Sequence, residues 1–472
     1  MTRHLSLLLT LLLVGALLIT ACAAPAPSAP APAEQPPATQ EAPAEEPVAE
    51  EPVAEEPAGF DWRMFEGETL RIAMVTQPWS QFLEPYIGEF EELSGMDVTY
   101  EILPEDQFRQ KTTIEFASGV SDVDVFLSMV AQEGIKYESA GWYADFTELL
   151  NNPAITDPDF DFADFTESSL GIATLPNGKL IGLPVYNEFG ALFYNKALFD
   201  AAGVPYPPAT IEEVEAAAAA ITDPANGIYG FVGRGAGPAA TSQFSSLLHS
   251  FGSEWIDAEG NANVLDPKFV EAIDWYGSML RNYGPEGTTS YSWQQGQDVF
   301  LQGKAGMWMD ASVFFANLVD PEQSTVLDSV GVTMAPEAEV RTPYVGGWHL
   351  SIYEGSPKKE AAWLFVQWAL GKEMVKRAQL NNITTGRASA WNSEEYKAQN
   401  EYPEFAEVYL EAMTVGDSRW NPPVLAVSEA RDAVGAAIVL SIEGEDFVAE
   451  AEKANEVLQR LLDDTPDLEA YP

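Results

Sequence analysis

The stretch GKLIGLPVYNEFGALFYNKALFDAAGVPYPP, residues 178–208, decides how this chain is built. It opens on an apolar run at 180–183 and breaks at Pro184. It then passes through Tyr186, Asn187, Glu188 and Phe189, a set unusual in a core strand. A second strand-like run, 191–194, leads into a helical pattern of Leu198, Phe199 and Ala202 that Gly203 stops. Strand, polar break, strand and helix is how a chain leaves one α/β unit and enters another. Residues 185–190 are therefore expected to cross between two lobes, with a ligand held between them.

Upstream, residues 68–75 (ETLRIAMV) read as a buried strand followed by the loop Thr76-Gln77-Pro78-Trp79. A helix from Ser80 carries Phe82, Tyr86, Phe90 and Leu93 on one face and ends at Gly95. Strand 96–103, helix 106–118 and strand 123–127 continue the alternation, which implies a mostly parallel sheet covered on both faces. Ligands of such sheets sit at the carboxyl ends of strands, which places Gln77, Trp79 and the stretch 128–132 at a site. Downstream, helix 211–221 and strand 227–232 lead to Gly233-Arg234-Gly235-Ala236-Gly237-Pro238. Ala240 stands where a dinucleotide fingerprint needs its third glycine, and Pro238 interrupts the helix start, so no nucleotide is expected. Residues 303–310 (GKAGMWMD) form a strand with Met307 and Met309 on one face and Trp308 and Asp310 on the other. Gly346-Gly347-Trp348 marks a second crossing and Thr384-Thr385-Gly386-Arg387 a third. Between the two lies a helix, 357–370, with Ser356 as N-cap. A closing helix spans 447–462.

The first twenty-two residues place Arg3 and His4 ahead of an apolar run, 5–19, and end in Ile19-Thr20-Ala21-Cys22. This is a secretory signal, and its end resembles the lipobox of bacterial lipoproteins, in which the cysteine is acylated. Cys22 is the only cysteine, so a structural disulfide is impossible. Residues 23–59 are Ala, Pro and Glu with little else, which predicts a disordered, extended linker. The net charge of −49, from 73 acidic and 24 basic residues, argues against nucleic acid as a partner. The run Asp157, Asp159, Asp161, Asp164 fails as a calcium loop, because Phe162 and Ser168 occupy the positions that need Gly and a bidentate Glu. No metal and no cofactor is expected.

Four segments, IGLPVYNEFGALFYNKALFDAAGVPYPP, VFLQGKAGMWMDASVFFANL, GGWHLSIYEGSPKKEAAWLFVQWAL and DAVGAAIVLSIEGEDFVAEAEKANEVLQRLL, together resemble family 1 of the extracellular solute-binding proteins of ABC importers, the sugar-binding family related to maltose-binding protein. They are spread over 68–462 in the family's order. EDQFRQKTTIEFASGVSDVDVF and MWMDASVFF further resemble members assigned to polyols. The resemblance implies a two-lobed α/β periplasmic-binding-protein-like fold, each lobe a mostly parallel sheet flanked by helices, with the ligand cleft at the hinge. One lobe would comprise 68–186 with 347–387, the other 188–345 with 388–462. It implies cleft residues Gln77, Trp79, Tyr186, Asn187, Glu188, Arg234, Asp310, Trp348, Arg387 and Trp420. It also implies a monomer, lipid-anchored outside the bacterial membrane through Cys22, that passes a sugar or sugar alcohol to permease subunits. Where the family carries a stacking Trp after the GKAAM-like strand, this chain has Val313 and Phe314, which puts a platform there in doubt.

A polyol presents hydroxyls and a C–H face, which call for planar polar groups beside aromatic rings. The ten residues supply both kinds. The alternatives are a sugar-binding sensor uncoupled from transport and a carbohydrate-active enzyme. A glycosidase needs two carboxylates about 5–10 Å apart, which any chain this acidic can offer. No GxSxG is present, and only His249 and His349 follow the signal, so an enzyme is not expected.

Overall fold

A computed structural model describes residues 59–175 and 177–465. The signal, Cys22 and nearly all of the Ala/Pro/Glu linker lie outside the described residues. Eight strands are present among them: β1 (Thr69–Val75), β2 (Asp97–Leu103), β3 (Val125–Ser128), β4 (Leu183–Asn195), β5 (Tyr229–Val232), β6 (Ala305–Ala311), β7 (Val330–Met334) and β8 (Val345–Ile352). Their order is β2-β1-β3-β8-β4-β6-β5, with β7 also paired to β4.

The deciding stretch is one continuous buried strand, β4, and not two strands with a polar break. Leu183–Phe189 pairs with β8 and Gly190–Asn195 with β6 and β7, so the strand changes neighbours where a crossing is expected. Pro184 is absorbed by a register shift between Pro184 and Tyr186. The polar residues are tolerated because partners meet them. The Tyr186 hydroxyl donates to Gln77 Oε1, and the Asn187 N–H donates to Thr384 O at 3.0 Å, while Thr384 Oγ1 donates back to Asn187 O. The third crossing thus runs against the first.

The pairings β1–β2, β1–β3 and β5–β6 are parallel, and β3–β8, β4–β8, β4–β6 and β4–β7 are antiparallel. The sheet is therefore mixed where alternation of elements implies mostly parallel pairing. The cause is that β4 and β8 traverse the centre side by side in opposite directions. Gly347 of β8 serves this contact: a Cβ there would stand 2.2 Å from Tyr186 O. Close strand approach, not a turn or a ligand, requires it.

Other elements follow their sequence signals with local corrections. The helix after β1 is interrupted: Pro78–Leu83, a 3₁₀ turn Glu84–Tyr86 around Pro85, then Ile87–Ser94 closed by left-handed Gly95. Leu93 is exposed. Pro238 does not break its helix, Gly237–Ser250, because it sits in the first turn, where no amide hydrogen is needed. The helix after β8 starts at Lys359 and not at Pro357; Ser356 instead donates to Asp124 Oδ1 at 2.5 Å. Helices Gly237–Ser250, Pro267–Tyr283, Val427–Glu443 and Val448–Asp463 pack around one apolar cluster, and β1, β3 and β8 belong to another. The short helices Ala388–Asn392 and Glu394–Gln399 pack against Lys372–Leu380.

Candidate functional site

At the carboxyl end of β1, between the two clusters, lies a narrow cavity of about 40 Å³, the space of a few water molecules. Its lining includes Gln77 from the loop after β1, Tyr186 and Glu188 from β4, Arg234 after β5, Trp348 from β8, and Trp420. Tight packing of β4 and β8 holds Tyr186, Glu188 and Trp348 in fixed positions on the central strands.

Arg234 forms the polar wall, held from behind by the buried Asp310. Arg234 Nη2 donates to Asp310 Oδ1 at 2.6 Å and Nε to Oδ2 at 3.0 Å, while Nη1 donates to Ser242 Oγ at 3.0 Å. Asp310 lies behind the guanidinium and also accepts from Gln243 Nε2 at 3.3 Å. Burial on its own would lower the Arg234 pKa, and the Asp310 carboxylate more than offsets this, leaving it raised. Gln77 Nε2, though buried, has no partner, a donor free for a ligand.

Aromatic rings form the other walls. Trp420 stacks on Tyr344 at 4.4 Å and 3° and donates its Nε1–H to Ser242 O. The Arg109 guanidinium lies 4.9 Å from the Trp348 ring, and Arg109 is itself paired with Glu105 and Glu133. Phe314 and Trp293 stack at 4.7 Å and 21° and both line the cavity. An aromatic face thus exists after β6 despite the missing Trp at that position. Trp293, Phe314, Glu105, Met129, Ser242 and Arg431 are lining residues absent from the ten expected. Trp293 begins the helix Trp293–Leu301, remote in sequence from the strand ends that guide such a reading.

Four of the ten expected residues do not line the cavity: Asp310 stands behind Arg234, and three others are elsewhere. Trp79 is buried in the apolar cluster around β1, because its helix turns that side chain under the sheet. Arg387 is fully buried away from the cavity, donating to Leu370 O, Asp161 O and Phe160 O at 2.8, 2.8 and 2.9 Å. Asn187 faces a second crevice at the crossing strands, shared with Gly346 and Gly347. Alternation along β4 puts Tyr186 and Glu188 on one side and Asn187 on the other.

Arg431 Nη1 and Asn421 Nδ2 donate to Gln132 Oε1 at 2.9 and 3.1 Å. Gln132 follows β3, whereas Arg431 lies on Val427–Glu443, so these bonds fasten the two halves beside the cavity. Burial pulls the Arg431 pKa down to about 10, with Glu105 acting against it.

Glu188 is pushed up to about 8 because burial strips its carboxyl of water; Arg234 acts against the rise, and Asp310 and Glu105 add to it. Its ordinary value is 4.5. Between these values the folded chain holds a proton that the unfolded chain has released, so stability falls as pH rises from about 4.5 through about 8. Glu188→Gln is expected to remove this loss. Urea midpoints of both proteins at about pH 5 and about pH 8.5 test it, and parallel pH dependences would refute it.

Residues 76–376 match the family model for bacterial extracellular solute-binding proteins. A mannitol-binding protein of Pseudomonas aeruginosa is 29% identical over 369 residues, covering 76% of this chain and 81% of that protein. An erythritol/L-threitol-binding protein of Mycolicibacterium smegmatis is 28% identical, covering 68% and 70%. The structure of an ABC transporter solute-binding protein from Agrobacterium radiobacter K84 in complex with ribitol superposes with a TM-score of 0.77 at 26% identity, over 84% of this chain and 99% of that one. One from Agrobacterium vitis S4 with bound D-mannitol gives 0.76, also at 26%, with the same coverage. The two-lobed fold is shared with a maltose-bound protein of Thermotoga maritima at a TM-score of 0.70. Among the described residues no helix is long and apolar enough to cross a membrane. The chain belongs to the bacterial extracellular solute-binding proteins.

Proposed function

We propose that this chain captures a sugar alcohol or small carbohydrate in the cleft and delivers it unchanged to the membrane subunits of an ABC importer, tethered by a lipid on Cys22. The lobes would comprise 68–186 with 347–387 and 188–345 with 388–462, the short helices within 388–399 lying back on the first. The observation that carries the reading is the cavity itself, where a guanidinium, a neutral carboxyl and a free amide donor face rings at the carboxyl end of β1. Arg234, Glu188 and Gln77 would bond hydroxyls, and Glu188, holding its proton, both donates and accepts. Trp293, Phe314, Trp348 and Trp420 would cover the C–H face. The ribitol- and mannitol-bound structures and the polyol-binding relatives support this ligand class.

Melting of the purified chain with mannitol, ribitol, erythritol, maltose and amino acids tests the reading. A polyol at about 100 times its dissociation constant is expected to add about 2.7 kcal/mol, and chromatography is expected to recover it unaltered. A response confined to amino acids would overturn the ligand class, and a converted sugar would overturn the transport role.

A further inference from the structure

Outside the cleft, one ligand atom each from His249, Glu254 and Asp417 lies within 4.8 Å of the others. His249 ends the helix Gly237–Ser250 and is 3% exposed. Its Nε2 lies 3.2 Å from the Arg419 carbonyl oxygen. A carbonyl only accepts, so Nε2 carries the hydrogen, and in the neutral ring Nδ1 is a bare lone pair. That Nδ1 is buried without a hydrogen-bond partner and faces Glu254 Oε2 at 3.3 Å. With the ring neutral, acceptor meets acceptor there, and an Asp417 carboxylate oxygen lies within 4.8 Å of both. Such an arrangement calls for positive charge, supplied by a proton on Nδ1 or by a cation beside it. Arg419 supplies it in this structure: Nη2 reaches Glu254 Oε1 at 2.7 Å and also pairs with Asp417 Oδ2, and Nε lies 3.0 Å from Asp417 Oδ1. The Arg419 side chain is 51% exposed, free to swing outward.

We propose that His249, Glu254 and Asp417 form a site for a divalent transition ion of the Zn²⁺ class, which enters by displacing the Arg419 guanidinium. Two donors on a tetrahedral ion with bonds of about 2.0–2.1 Å stand about 3.3–3.4 Å apart, the separation of His249 Nδ1 and Glu254 Oε2. Imidazole with carboxylates favours zinc, copper or nickel over magnesium and calcium, which take oxygen alone. The Nε2–H bond to a backbone carbonyl is the outer contact that orients a ligating histidine. One histidine suffices here, so a low histidine count does not argue against the site.

The ion would tie two parts of the cleft together. Asp417 is joined to the start of β8, donating N–H to Pro343 O at 2.9 Å and accepting from Val345 N at 2.8 Å. Three residues later comes Trp420, stacked on Tyr344 at the cavity. His249 lies on the helix that carries Ser242 and Gln243 to Arg234 and Asp310.

Calorimetric titration of the chelator-stripped full chain with ZnCl₂, with Co²⁺ as a visible-absorption probe, tests the site. One saturable equivalent is expected, with tetrahedral Co²⁺ absorption. Glu254→Gln is expected to weaken it at least about tenfold, His249→Ala to remove it, and Arg419→Gln to tighten it by removing the competitor. Melting in EDTA checks that each variant folds, and Glu254→Gln, at a side chain 36% exposed, decides the matter if His249→Ala does not. If neither the native chain nor Arg419→Gln binds one equivalent, or if affinity is unchanged in Glu254→Gln, the proposal is overturned and Arg419 is the permanent counter-ion.

Discussion

Asp310→Ala is expected to destabilise the chain by about 3–5 kcal/mol, the cost of stranding one member of a buried ion pair. Asp310 is 0% exposed and accepts three hydrogen bonds from Arg234, one from Gln243 and one from the amide of Ala311. Without it the Arg234 charge is left in a site where burial opposes it. Arg234 also loses its orientation, so affinity for the cleft ligand is expected to fall with stability. Replacing both residues, Asp310→Leu with Arg234→Met, is expected to recover much of the stability and none of the binding, because no lone charge remains. Urea denaturation of the native chain and the two variants provides the measurement. An Asp310→Ala protein within about 1 kcal/mol of the native one would show that the pair does not hold the site.

Arg387→Ala is expected to cost a similar amount, about 3–5 kcal/mol, and to leave ligand affinity unaltered. Arg387 is 0% exposed, and burial lowers its pKa, with Asp164 acting against this. Its guanidinium joins three carbonyls and Asp164, and its carbon lies 4.1 and 4.8 Å from the ring centres of Phe165 and Phe160. Alanine would strand those carbonyls and open a void between the rings. The contrast with Asp310 is diagnostic: both variants lose stability, and only one loses its ligand. An Arg387→Ala protein of native stability that no longer binds would return Arg387 to the cleft.

Five of the eight strands were legible in local pattern, and the expected crossing at 185–190 falls where β4 changes neighbours. Apolar runs ended by turn residues mark 68–75, 96–103, 123–127, 227–232 and 303–310, and the structure has a strand within or overlapping each. The rule that ligands sit at strand ends led to Gln77, which lies just beyond β1 and lines the cavity, whereas Glu188, Arg234 and Trp348 came through the family resemblance. The same rule led to Trp79, which lies two residues from Gln77 yet turns into the core. Side-chain direction after a strand depends on how the following helix docks, and no local pattern encodes that. Arg387 fails for a related reason: the loop of Phe160 and Asp161 that receives it is over two hundred residues away in sequence.

The sequence by itself determined that the chain is an α/β protein of alternating units, because hydrophobic periodicity and turn chemistry act over a few residues. It also carried the family, through four segments in order. Only the tertiary structure decided that β4 runs unbroken through both halves and that Trp293 and Phe314 supply a ring face. It alone brought His249, Glu254, Asp417 and Arg419 together. Each of these rests on contacts between residues distant along the chain, whose geometry is set by packing.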